Sequence, residues 1–248
     1  MKNFVTISVY CLLFALLSVS WLPVLKNNDA ANSSSFITLP GTLRNDNSSK
    51  EEISSLYTLL KLQQKGLSIK AFEYACRGYN RLLKKGIINK QGYLVICDFS
   101  QSSNKKRLYL IDMTNNEVAL NTFVAHGRNS GGEYATRFSN RLKSLQSSLG
   151  FYVTQNTYYG EHGLSLRVAG LEKGYNDKAN QRRIVIHGAD YIGDALLKNS
   201  NYMGRSYGCP AIPENVSKYL INTIKNGSCI FIYHPSANYL KGSKILNG

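Results

Sequence analysis

Among four histidines and five cysteines, one pair stands in company suited to acyl transfer. His187 ends the β-branched run Ile184-Val185-Ile186 and precedes Gly188, while Cys209 lies between Gly208 and Pro210, just after Arg205-Ser206-Tyr207. A cysteine attacks a carbonyl as its thiolate, and a neighbouring imidazole both draws off the thiol proton and carries it onward. Gly208 lets the backbone approach a ligand closely, and Pro210 stiffens the exit. The backbone N–H groups of Gly208 and Cys209 are then the expected donors to an oxyanion. Arg205 and Arg128 offer guanidinium forks for carboxylates.

The other reactive residue types read differently. Cys97 and Cys229 sit inside apolar strand runs and Cys76 on a helical packing face, so all three are expected as core thiols. His126, followed by Gly127 and Arg128, and His162, preceded by Glu161, are expected as structural or rim residues, with substrate contact as the second reading. The chain has no Cys-x-x-Cys and no paired-histidine helix motif, which leaves a zinc site without support. The Gly-bearing stretch NSGGEYATRFSN lacks both the phosphate-loop Lys-Ser/Thr and a Rossmann spacing, and reads as a surface loop beside the site. No cofactor is expected.

Stepping outward, 248 residues suffice for one main domain with extensions. The net charge of +15 is scattered along the chain, which argues against nucleic acid and fits an anionic surface as neighbour. Residues 1–25 carry Lys2 and a nearly unbroken apolar run from Phe4 to Leu25. They are expected to be a signal peptide, or a membrane anchor if uncleaved, which places the protein in the periplasm or cell envelope. The Ser/Asn-rich residues 26–50 read as a linker. Four scattered cysteines beyond the export segment do not form a disulfide framework.

Over 51–90, Ile53, Leu56, Leu59 and Leu60, and then Ile69, Phe72, Cys76, Tyr79 and Leu82, recur at helical spacing. Two helices follow, the second capped by Ser68 and stopped by Gly86, forming a cap on the catalytic domain. Over 91–240 the texture changes to β-branched and aromatic runs: YLVICDF, RLYLIDM, EVALNTFVAHG, GFYVTQNTYYG, LSLRVAGL, RRIVIHGA and CIFIYH. A short helix is expected around Asp194 to Leu197, and a late one from Pro213 to Asn226, whose N-terminus then follows directly on the Cys209 turn. The class is mainly β (α+β), a sandwich or mixed sheet with an N-terminal helical segment.

His187-Gly188 followed by Ser206-Tyr207-Gly208-Cys209 resembles the His…Ser/Thr-x-Gly-Cys signature of the YkuD-type L,D-transpeptidases, and most of all the murein L,D-transpeptidase catalytic domain branch. The resemblance runs from Ile69 to His234 through AFEYACRGYNRLL, VAHGRNSGGEYATRFSN, SSLGFYVTQNTYYGEHGLSLRVAGLEKGYND, RRIVIHGA and GRSYGCPAIP. It implies that Cys209 is the nucleophile and His187 the base, that Ser206 and Gly208 frame the nucleophile, and that Arg205, Tyr207, Gly188, His126 and Arg128 are substrate-side residues. Tyr207 stands where the wider signature has a second His, and Pro210-Ala211 replaces an apolar residue followed by Arg or Asn. Those departures bear on acceptor choice. The implied reaction is peptidoglycan 3–3 cross-linking through a thioester on Cys209, with L,D-carboxypeptidase activity when water resolves it. The implied partners are peptidoglycan stem peptides, as acyl donor and amine acceptor. The alternative is a non-catalytic cell-wall-binding protein that keeps the fold.

Overall fold

The computed structural model describes residues 46–88, 92–197 and 200–248. The expected export segment and all but the end of the expected linker lie outside the described residues. Two helices lead, α1 (Asp46–Leu59) and α2 (Ile69–Lys84). Ser68 caps α2 as expected, its hydroxyl accepting from the Ala71 N–H at 3.2 Å. Phe72, Ala75, Cys76, Tyr79 and Leu82 recur every three or four residues and form its buried face. Among the described residues, no helix is long and apolar enough to cross a membrane.

Eight strands follow: β1 (Tyr93–Asp98), β2 (Leu108–Asp112), β3 (Glu117–Thr122), β4 (Gly150–Gly160), β5 (Gly163–Gly170), β6 (Val185–Ala189), β7 (Ala211–Pro213) and β8 (Cys229–Tyr233). Four further helices are α3 (Asp194–Leu197), α4 (Glu214–Ile224), α5 (Ala237–Gly242) and α6 (Lys244–Asn247). Every apolar run read as a strand is one; the exception to prediction is β7, whose three residues carry no alternation to detect. The strands form one mixed sheet in the order β3-β2-β1-β8-β4-β5-β6-β7. Two parallel pairs, β1 with β8 and β6 with β7, interrupt the antiparallel pairing.

The central strands β1 and β8 are apolar almost throughout and buried along nearly their whole length, as expected where both faces of a sheet are covered. The α2 helix packs against both. Although β3 and β7 end the strand order, the chain leaving β3 crosses to the far edge, where Ala125 bridges Ala211 and its N–H donates to the Ala211 carbonyl at 2.8 Å. The sheet thus curls toward a barrel, one curled mixed sheet in place of a two-sheet sandwich. Cys76, Cys97 and Cys229 are buried free thiols in this core, and burial pushes Cys97 up to about 12.

The late helix runs from Glu214 to Ile224, with Pro213 at its N-cap. Because β7 intervenes, the helix N-terminus does not abut the Cys209 turn, which corrects the expectation that its dipole would serve the thiol. Its start packs instead on β6, where a Cβ placed on Gly188 would meet Ser217 Oγ at 2.8 Å and the Glu214 Cα at 3.3 Å.

Candidate active site

The β6–β7 register builds the site. His187 pairs with Ala211 in parallel alignment, so two residues upstream Cys209 falls beside Val185. Side chains two apart along a strand share a face, which turns the thiol and the imidazole to the same side. The thiol confirms this placement: the Val185 N–H donates to Sγ at 3.5 Å, and Sγ lies 3.8 Å from the Arg183 carbonyl. Cys209 and His187 wall a common cavity of about 780 Å³.

The nucleophile turn holds itself together. Ser206 Oγ donates to the Cys209 carbonyl at 2.5 Å and accepts from the Gly208 N–H at 3.0 Å. That second bond occupies one of the two N–H groups expected to serve an oxyanion, leaving the Cys209 N–H, which has no partner among the described residues. Gly208 sits at φ +122°, where L side chains are rare. A Cβ there would also stand 2.8 Å from the Gln146 carbonyl.

Residues 124–128 clasp the turn from outside. The Ser206 N–H donates to the His126 carbonyl at 3.1 Å and the Arg128 N–H to the Ser206 carbonyl at 2.8 Å, while Ala125 holds Ala211 on the other flank of the turn. Cys209 is therefore suspended between two backbone bridges.

His187 is buried, and its Nδ1 lies 2.8 Å from the Gly188 carbonyl. A carbonyl only accepts, so Nδ1 carries the proton and Nε2 keeps the lone pair. Burial, opposed by the Gly188 bond and helped by His162, holds His187 below the usual histidine range. The Cys209 thiol is pushed above its usual range by burial, against smaller opposite effects of the Val185 N–H and Arg182. At neutral pH the pair rests as neutral thiol and neutral imidazole, a base ready to accept and an acid that needs one.

Of the expected substrate-side residues, Arg128, Arg205 and Tyr207 line the cavity. Arg128 lies over the Tyr207 ring at 5.8 Å from its centroid, and Tyr207 is 68% exposed. Arg205 covers Tyr202 at 5.3 Å and donates to the Gly131 carbonyl at 3.0 Å. Gly188 belongs to the α4 packing described above, and its carbonyl orients the base. His126 stands apart from the substrate side: it is buried, and Arg107 Nη2 lies 2.7 Å from its Nδ1. Burial first, then Arg107, lower it to about 4, so it is a neutral core acceptor for a buried guanidinium.

Two juxtapositions near the site were not legible in the sequence. His162, from the β4–β5 turn, stacks on His187 with ring centroids 4.2 Å apart and planes at 18°. Arg182 reaches under the nucleophile turn and donates to Ser148 Oγ, to the Gln146 carbonyl, and to the Ser139 carbonyl at 2.8 Å. Both juxtapositions come from strand pairing and loop folding over long separations, which leave no local sequence signal. No group of three or more His, Cys, Asp or Glu among the described residues could hold a metal ion.

A family model described as the L,D-transpeptidase catalytic domain matches residues 63–233, a span that includes α2. Solved structures with similarity include an L,D-transpeptidase from Mycobacterium smegmatis, at 12% identity and TM-score 0.35 over 58% of this chain and 59% of that one. An L,D-transpeptidase from Enterococcus faecium aligns at 14% identity and TM-score 0.35 over 58% and 50%. The helical cell shape determining protein of Campylobacter jejuni aligns at 14% identity and TM-score 0.40 over 66% and 56%. The chain thus spans between half and three fifths of the length of these relatives. No curated protein matches it.

Proposed function

This chain belongs to the L,D-transpeptidase catalytic domain family, and from that premise we propose that it is a cysteine acyltransferase acting on peptidoglycan stem peptides in the cell envelope. One observation carries the reading: Cys209 and His187 wall one cavity, with Nδ1 of the imidazole committed to the Gly188 carbonyl and Nε2 left as the base.

In the proposed first step His187 Nε2 takes the thiol proton as Sγ attacks the carbonyl of the third stem residue. The Cys209 N–H receives the oxyanion. Collapse forms the thioester, and the proton passes from His187 to the departing amine of the terminal D-residue. In the second step His187 deprotonates an amine from a neighbouring stem, which attacks the thioester, forms the 3–3 cross-link and restores the thiol. Water in place of the amine gives L,D-carboxypeptidase activity. Arg128 and Arg205, already held over tyrosine rings, suit the stem carboxylates. The chemistry requires no cofactor.

The test is intact mass of the purified chain, wild type and Cys209→Ala, after incubation with a disaccharide-tetrapeptide and then with a carbapenem. The proposal expects loss of the terminal D-residue or dimer formation, and a carbapenem adduct on the wild type alone. Turnover in Cys209→Ala overturns the mechanism, and the absence of both turnover and adduct in the wild type favours a wall-binding protein.

A further inference from the structure

The β4–β5 hairpin is tight. Gly160 pairs with Gly163 across its end, and Gly163 takes φ +69°, a left-handed conformation that reverses the chain within two intervening residues. One of those two is His162. The antiparallel pairing of Ser165 with His187 brings the hairpin tip above β6, where the two imidazoles stack face to face and line the same cavity.

This stack supplies what the Gly188 bond does not. A single hydrogen bond at one edge of a ring fixes which nitrogen carries the proton but lets the ring tilt about that bond. A flat partner against the ring face removes the tilt. We infer that His162 is a positioning residue for the base: it fixes the plane from which His187 Nε2 meets the thiol and opposes a second positive charge beside it. The inference rests on His187 acting as the base of Cys209.

The other ionisable groups around His187 come from several elements. Cys209 and Tyr207 face the cavity from the nucleophile turn, Tyr191 from the segment after β6, and Arg128 and Arg205 from the opposite wall. Glu214 stands at the α4 start packed on β6. His162 is the group whose charge acts on His187.

Three proteins separate the two effects: wild type, His162→Phe, which keeps an aromatic face without a charge, and His162→Ala, which has neither. The His187 imidazole signals are titrated by NMR in each full-length protein, and carbapenem acylation of Cys209 is timed on its pH plateau. The His187 midpoint is expected to rise by about three quarters of a pH unit in both variants, the scale of two unit charges roughly 4 Å apart in a solvent-like medium. Plateau acylation is expected to fall by roughly tenfold in His162→Ala and to stay near wild type in His162→Phe, because only Ala frees the ring to tilt. A midpoint unmoved in both variants, or an Ala variant that acylates at the wild-type rate, overturns the inference. Shifted NMR midpoints alongside a wild type that no carbapenem acylates would sustain the pairing and remove the transpeptidase reading instead. His162 is exposed at a hairpin tip, so neither variant threatens the fold.

Discussion

Cys209 and His187 line one cavity, and burial holds each toward its neutral form, which sets the pH behaviour expected of the free protein. The thiol lies above its usual range because it is buried. Its alkylation by iodoacetamide is therefore expected to keep rising through pH 9, with no plateau at neutral pH; a rate independent of pH from 6 to 8 would instead mark a preformed thiolate–imidazolium pair. Stem-peptide turnover is expected to hold through neutral pH and to drop only in acid, below the usual histidine range, as His187 gains a proton. These two residues were legible in the sequence because their types and flanking glycines are chemical signals. His126 is placed by a buried guanidinium 19 residues away in the chain, which fits its first reading as a structural residue and not the substrate-side role that the resemblance implies. His162 was read as a structural or rim residue, but its stack on His187 had no sequence signal, because a ring stack records a register and not a motif.

Between residue and fold, the segment from Ser139 to Ser148 depends on one side chain. Arg182 donates to the Ser139 and Gln146 carbonyls and to the hydroxyls of Ser144 and Ser148. The Gln146 carbonyl in turn packs against the position that glycine must hold at 208. Replacing Arg182 with Gln is expected to destabilise the protein by about 2 kcal/mol, with several carbonyl and hydroxyl groups losing a charged donor. Amide exchange in 139–148 should speed up more than exchange in β1 or β8; uniform acceleration would show that Arg182 supports the whole fold and not this loop. The long apolar runs predicted seven of the strands because a half-buried or buried strand writes its environment into its residues. The strand β7 is too short to do so, although the helix start after it fell within one residue of the position expected. The Arg182 loop is held by side chains meeting backbone carbonyls, which any sequence supplies.

Across the molecule, the C-terminal helices close a polar knot in the core. Glu172 is buried, and its carboxylate accepts from the Phe151 N–H at 2.8 Å, from Tyr239 Oη at 2.8 Å and from Ser243 Oγ. At the far end of the same tail, Arg81 of α2 donates to the Ile245 carbonyl at 2.5 Å. Deleting residues 237–248 removes two of the three donors to Glu172 and is expected to cost about 3 kcal/mol or more, read by urea unfolding. A truncated chain as stable as the full one would mean that water replaces those donors. Composition and texture foretold the helical lead and the sheet-rich body. They could not foretell the strand order, since apolar alternation states that a strand is covered but not by which neighbour. That order has a temporal meaning. The last strand among the described residues, β8, lies in the middle of the sheet between β1 and β4, and its Cys229 pairs in parallel with Leu94, 135 residues earlier. A ribosome emits the amino end first, so β1 and β4 are both made before the strand that joins them. Formation of the sheet therefore waits on β8, and a chain arrested before Cys229 lacks the strand that lies between its two flanks.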